Sequence, residues 1–174
     1  ENVLDRVLSD FKDGRMRGVY KNENPPDLAD VPRPRFDLLH PRHRYFLHSV
    51  QATRGCPRDC EFCSVTPFFG HQYRLRPVKE VIADLQASFE EARSRTVFFV
   101  DDNITGRADY AKELFEALIP LKIKWGSFAS VTMTRDRKLM ELSAKSGCIE
   151  LFIGFESLSQ NNLDHSHKSW VRAD

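Results

Sequence analysis

The sequence predicts an α/β fold: a parallel sheet of about four βα units, forming half a barrel or an open sheet. Three observations point there. Short apolar runs alternate with helical stripes of about 10–15 residues, at near-equal spacing. The chain of 174 residues gives room for one domain of ordinary size. Its 41% hydrophobic and 29% charged residues are a globular balance rather than a disordered one.

Residues 1 to about 18 carry a weak helical stripe (Val3, Leu4, Val7, Leu8, Phe11) that ends at Gly14. The stretch NENPPDLADVPRPRFDLLHP then holds Pro25, Pro26, Pro32, Pro34 and Pro41, five of the nine prolines. Prolines this dense remove helix and ladder hydrogen bonds, so residues 1–41 read as a helix and an extended connector from an upstream domain that this sequence lacks. Residues 42–174 read as the core domain.

Within that core, Tyr45 to Ala52 is an extended segment running into a cysteine loop. Val78, Val81, Ile82, Leu85 and Phe89 share one helix face, and Pro77 suits the first turn. Thr96 to Val100 is a strand closed by Asp101-Asp102-Asn103. Ala111, Leu114, Phe115 and Leu118 mark the second helix, and Trp125 to Val131 the third strand. A helix with Leu139, Met140 and Leu142 stops at Gly147, a good C-terminal cap. Cys148 to Phe155 is the fourth strand, carrying Gly154 and ending in Glu156-Ser157. Trp125 and the Phe-rich strands read as core.

Charge and hydropathy exclude several classes. With 26 Lys+Arg against 25 Asp+Glu the net charge is +1, which gives no field for nucleic acid or anionic membrane. No apolar run approaches the ~18 residues of a membrane span. ENVLDRVLSDFKDG has no apolar core of a signal peptide, so a cytoplasmic location is expected.

Of the four cysteines, Cys56, Cys60 and Cys63 crowd into one loop with the spacing C-x3-C-x2-C, and Cys148 stands apart. Crowded thiols in a reducing compartment point to a metal rather than a disulfide scaffold. Structural zinc prefers four ligands in paired spacing; His71 is available as a fourth. Cys148 opens the fourth strand, about 20 Å from the loop beyond the first strand at ~3.3 Å per residue. Three thiolates have a distinct meaning for a cubane of four irons: one iron stays open to a substrate or second cofactor.

The string C-x3-C-x-aromatic-C, with Phe62 in the aromatic place, resembles the signature of radical S-adenosylmethionine (radical SAM) enzymes. The resemblance extends from about Tyr45 to Leu158. It implies a partial parallel (β/α) barrel with a [4Fe–4S] cluster on Cys56, Cys60 and Cys63. It further implies S-adenosylmethionine chelated to the open iron, and its cleavage by one electron to a 5′-deoxyadenosyl radical. It implies that Phe62 of the cysteine motif, Asp102 or its neighbour Asp101 after the second strand, and Glu156 and Ser157 of GFES, which resembles the family's fourth-strand motif, lie near that cofactor. Parallel α/β folds gather ligand sites at the C-terminal strand ends. The cysteine loop, Asp101-Asp102-Asn103, Ser130/Thr132 and Glu156 all follow strands, and so are expected on one rim. Period-two alternation is expected to place Phe152, Gly154 and Glu156 on one face. Against these stand plainer roles: Asp102 or Asn103 capping the next helix, and Arg74 and Arg76 as a solvated or helix-capping pair.

TRGCPRDCEFCSVTPFFGHQYRLRPVKEVIADL, VFFVDDN and IGFES look most like the subgroup with an upstream cobalamin-binding domain. That resemblance implies cobalamin through the missing domain, methylation or another radical reaction of a small or lipid-like organic substrate, and a reductant such as flavodoxin or ferredoxin. The family's partial barrel usually has six units where four are read here, so a truncated fragment is expected, and its independent turnover is in question. Rival expectations are a transfer-RNA methylthiotransferase-like protein and a non-enzymatic zinc or iron–sulfur module.

Overall fold

The computed structural model describes residues 3–21, 24–38, 47–90 and 94–172. In chain order its elements are α1 (Leu4–Lys12), β1 (Leu47–Val50), β2 (Thr53–Arg54), α2 (Val65–Phe69), β3 (Arg74–Leu75) and α3 (Val78–Glu90). Then follow β4 (Thr96–Phe99), α4 (Ala108–Leu118), β5 (Lys124–Ala129), α5 (Arg137–Lys145), β6 (Cys148–Ile153) and α6 (Gln160–His165). Strands β1, β4, β5 and β6 lie in that order in one parallel sheet, with α3, α4 and α5 as the crossovers. The sheet stays open, with β1 and β6 at its edges. This is the α/β architecture expected, as a part of a barrel rather than a closed one.

The helices cover one face of the sheet. Val97 and Phe99 of β4 and Trp125, Ser127 and Ala129 of β5 point into that layer, against Val81, Leu85, Leu114, Phe115, Leu118 and Leu139. Trp125 is fully buried, with ring centroids 4.9 Å from Phe115 and 5.7 Å from Phe99. The opposite face corrects the expectation that all Phe-rich strands are core. Phe98, Phe128 and Phe152 pack on one another there at 5.3–6.0 Å, and Phe128 and Phe152 are 46% and 44% exposed. Period-two alternation separates the two sets: neighbours in sequence go to opposite faces.

Strand ends differ from the sequence reading where side chains intervene. Of the expected first strand, Tyr45 and Phe46 lie outside the described residues, as does the 41/42 boundary. The third strand stops at Ala129, because the Ser130 hydroxyl accepts from Thr132 N (3.2 Å) and starts a 3-10 turn over Val131–Arg135. The fourth stops at Ile153, so the face alternation that joined Glu156 to Phe152 ends before it reaches Glu156. Gly147 follows α5 in a left-handed conformation, the cap expected of it.

Arg74 and Arg76 require a correction: both are buried, neither solvated nor capping. Arg74 lies in β3, which pairs antiparallel with β2 across the base of the cysteine loop, and donates to Pro26 O and Phe69 O. Arg76 donates to Gln51 O and pairs with Asp84 of α3 at 2.7 Å, while Arg33 of the proline-rich segment reaches the same carboxylate at 3.2 Å. The connector, with Leu28 buried, is therefore docked on the sheet rather than merely extended. Among the described residues no helix is long and apolar enough to cross a membrane.

Asp84→Ala is expected to lower stability by about 3–5 kcal/mol, because it leaves the Arg76 guanidinium buried and unpaired. The check is the denaturant midpoint against wild type. Arg33→Ala, which removes only the half-exposed partner, should cost about 1 kcal/mol or less.

Candidate functional site

Where the chain leaves β1 it turns back through β2 into the cysteine loop, and carboxylates from the end of β4 fix that turn. Asp101, fully buried, accepts from the backbone N–H groups of Ala52 and Thr53; Asp102 accepts from Gly55 N at 3.2 Å. Gly55 has φ +87°, and a side chain there would meet Gln72 O at 2.7 Å, so only glycine opens the loop this tightly. Tyr110 donates to Ala52 O and Tyr73 to Asn103 O, closing the support beneath. The Asn103 side chain accepts from Thr105, and α4 has no side-chain cap. The helix-capping role expected for Asp102 or Asn103 is thus overturned: the loop takes one and Thr105 the other.

Above this support lies a cavity of about 420 Å³ at the C-terminal ends of the strands, in the size range of small-ligand sites. Cys56, Cys60, Cys63 and Phe62 of the loop line it, with Asp102 and Asn103 after β4, Phe128 to Ser130 at the end of β5, and Phe152 to Gly154 and Glu156 around the end of β6. Asp101 lies behind this wall, and Thr132 is bonded to Ser130 at 2.8 Å. Ser157 stays off the cavity; its hydroxyl accepts from Ser159 N at 3.0 Å beside α6. His71 is exposed and off the lining too. Cys148 sits at the opposite end of the sheet, paired across from Trp125, with its thiol on Glu150 O.

The far wall comes from residues that sequence reasoning missed. Lys168 is 5% exposed; its ammonium donates to Gly154 O at 3.0 Å and to Glu156 Oε1 at 2.6 Å, and stands over the rings of Phe62 and Trp170. Glu156 holds this pose with φ +57°, and a side chain at Gly154 would collide with its Oε1. Glu61 N donates to Ser166 O at 3.1 Å, which stitches the loop to this C-terminal segment. The only sequence signal was a Lys and a Trp two residues apart in a polar tail.

Burial pushes the Cys56 and Cys60 thiols up; at Cys60 the Lys168 ammonium opposes it. Thiols raised in this way are protonated when free and lose the proton to a bound metal. Among the described residues no three His, Cys, Asp or Glu side chains converge on one ion. A cubane asks for no such convergence, since each cysteine takes a different iron, and three thiols around one cavity fit that donor set.

An α/β sheet with three thiols and an ion pair around a cavity at its C-terminal rim defines a cofactor-binding half-barrel protein. The chain belongs to the radical SAM superfamily, an enzyme superfamily built on a [4Fe–4S] cluster and S-adenosylmethionine, whose profile matches residues 50–173. It is 31% identical to the bacteriochlorophyllide d C-12(1)-methyltransferase of Chlorobaculum tepidum, over 97% of this chain and 38% of that one. It is 25% identical to the hopanoid C-2 methylase of Rhodopseudomonas palustris, over 97% of this chain and 33% of the other. The chain thus spans about a third of the length of these relatives. Its fold is similar to that of TsrM from Kitasatospora setae, a radical S-adenosylmethionine methyltransferase solved with cobalamin and a [4Fe–4S] cluster bound (TM-score 0.62, 16% identity, covering 67% of this chain and 24% of that one).

Complete burial pushes Asp101 up to about 7, against the pull of Thr53 and the two backbone N–H groups. The folded state therefore holds a proton that the unfolded chain, titrating near 3.8, has already lost. Stability from this group is full below the lower value and is lost as pH rises toward the upper one. His48, held low by burial, works in the opposite sense, so the difference between variants is the useful quantity. Melting temperatures of wild type minus Asp101→Asn are expected to fall as pH rises from about 4 to 7. A flat difference would remove Asp101 from the titration.

Proposed function

We propose that this chain is the cluster- and S-adenosylmethionine-binding part of a radical SAM methyltransferase acting on an organic substrate. The carrying observation is the placement of Cys56, Cys60 and Cys63 around one cavity that also holds the Glu156–Lys168 ion pair. Cys56, Cys60 and Cys63 would hold the cluster. When bound, the cluster supplies the electron that cleaves S-adenosylmethionine to a 5′-deoxyadenosyl radical.

This chain's residues provide binding and orientation. The methionyl end of S-adenosylmethionine carries an ammonium and a carboxylate, and Glu156 and Lys168 offer the opposite charges side by side. Asp102 stands on the same rim, its pKa raised by burial and its carboxylate committed to Gly55 N. Phe62 covers the Lys168 ammonium, and the Phe128 and Phe152 rings give the cavity an apolar floor. The loop chemistry alone does not select the substrate. The relatives named for methylation of a tetrapyrrole and of a hopanoid support a small or lipid-like acceptor, and the cobalamin held by TsrM supports cobalamin as the methyl carrier. Residues 1–41 would then join this part to a cobalamin-binding domain, with a flavodoxin- or ferredoxin-like protein as reductant.

After anaerobic reconstitution, wild type should hold about four irons per chain, and Cys56→Ala, Cys60→Ala or Cys63→Ala few or none; Cys148→Ala should match wild type. Iron retained by the loop variants, or lost in Cys148→Ala, would contradict the ligand assignment. On the reconstituted protein, Lys168→Met should weaken S-adenosylmethionine binding about 10–100-fold by equilibrium dialysis, the worth of a charged hydrogen bond. Unchanged affinity would remove Lys168 from the site.

A further inference from the structure

Trp170 has a polar atom without a use. Its indole N–H is buried and has no hydrogen-bond partner among the described residues, a state that costs free energy unless some acceptor compensates. The ring is held in place from two sides of the cavity wall: the Arg58 guanidinium lies over it at 4.7 Å and the Lys168 ammonium at 5.4 Å. Cations over an indole ring draw electron density from it and make its N–H a stronger donor. The segment cannot drift from the loop, because Glu61 N is bonded to Ser166 O. Trp170 lines the same cavity as Cys60, and Arg58 and Glu61, which hold its ring and its segment, flank Cys60 in the loop.

Resting on the cluster reading above, we infer that Trp170 donates its indole N–H to the Cys60 thiolate when that sulfur carries iron, and so sets the reduction potential of the cluster. Hydrogen bonds to ligating sulfur stabilise the extra negative charge of the reduced state and raise the potential. Trp170 is a positioning residue in this scheme, since it touches a ligand and not the reacting atoms. The other tryptophan, Trp125, is committed to Ser146 Oγ within the helix layer and supplies no such contact.

The test compares reconstituted wild type with Trp170→Phe, which keeps a ring beneath Arg58 and Lys168 but lacks the N–H. Iron per chain and melting temperature report whether the site is intact. A dithionite titration followed by electron paramagnetic resonance should show Trp170→Phe about tenfold harder to reduce, a fall of about 59 mV for a one-electron couple. Protein grown with 15N-indole tryptophan gives a second readout: the reduced cluster of wild type should show a hyperfine coupling to 15N that Trp170→Phe lacks. A merely structural tryptophan would move neither. An intact cluster whose potential is the same in both proteins, with no 15N coupling, would overturn the inference alone. A wild-type protein that takes up no iron would overturn the inference together with the reading it rests on.

Discussion

Two carboxylates at the end of β4 grip three backbone N–H groups where the chain turns from β1 into the cysteine loop, and the geometry of the cavity depends on that grip. Asp101 takes Ala52 and Thr53, and Asp102 takes Gly55. Loops cannot be buried unless their backbone groups are paired, and these N–H groups find their acceptors in a neighbouring strand's end rather than in water. The sheet thereby dictates where three thiols stand. Asp101 is held in a fully desolvated place at an electrostatic cost, visible in its raised pKa, and the N–H groups offset part of it. The second hold on the loop comes from the opposite direction, where Glu61 meets Ser166. A loop pinned at both ends can present thiols to a rigid inorganic group with little further ordering.

Local chemistry explains which features were legible in the sequence. Period-two apolar runs and 3.6-residue stripes located all four parallel strands and the three crossover helices, because burial on one face imposes those periods directly. The loop was legible for a similar reason: metal chemistry fixes ligand type and spacing within one short segment. Strand ends were less so. Ile153 ends β6 because Gly154 must pass close to Glu156 and to Lys168, the latter 14 positions away in the chain. Lys168 and Trp170 were missed on the same ground, since polarity in a tail reads as solvent exposure until the fold brings in a cavity. Arg74 and Arg76 show the same failure: charge alone suggested water, whereas Asp84 and the carbonyls of Pro26, Phe69 and Gln51 received them inside.

The two faces of the sheet divide the work. Trp125, Phe99 and Phe115 stabilise the layer beneath the helices, and Phe98, Phe128 and Phe152 leave an aromatic surface continuous with the cavity. Such a surface suits an apolar acceptor or the non-polar part of a cofactor. Its polar counterpart is concentrated at one edge, where Glu156 and Lys168 meet, and the cavity therefore has a charged end beside the cysteines and an apolar floor.

Whether the iron left open by three cysteines binds S-adenosylmethionine is read from the electron paramagnetic resonance spectrum of the reduced, reconstituted protein with and without that molecule. A [4Fe–4S]⁺ signal whose shape changes when S-adenosylmethionine is added is expected, because the amino and carboxylate groups of that molecule would ligate the open iron. A cluster signal indifferent to S-adenosylmethionine, or zinc in place of iron, would contradict it.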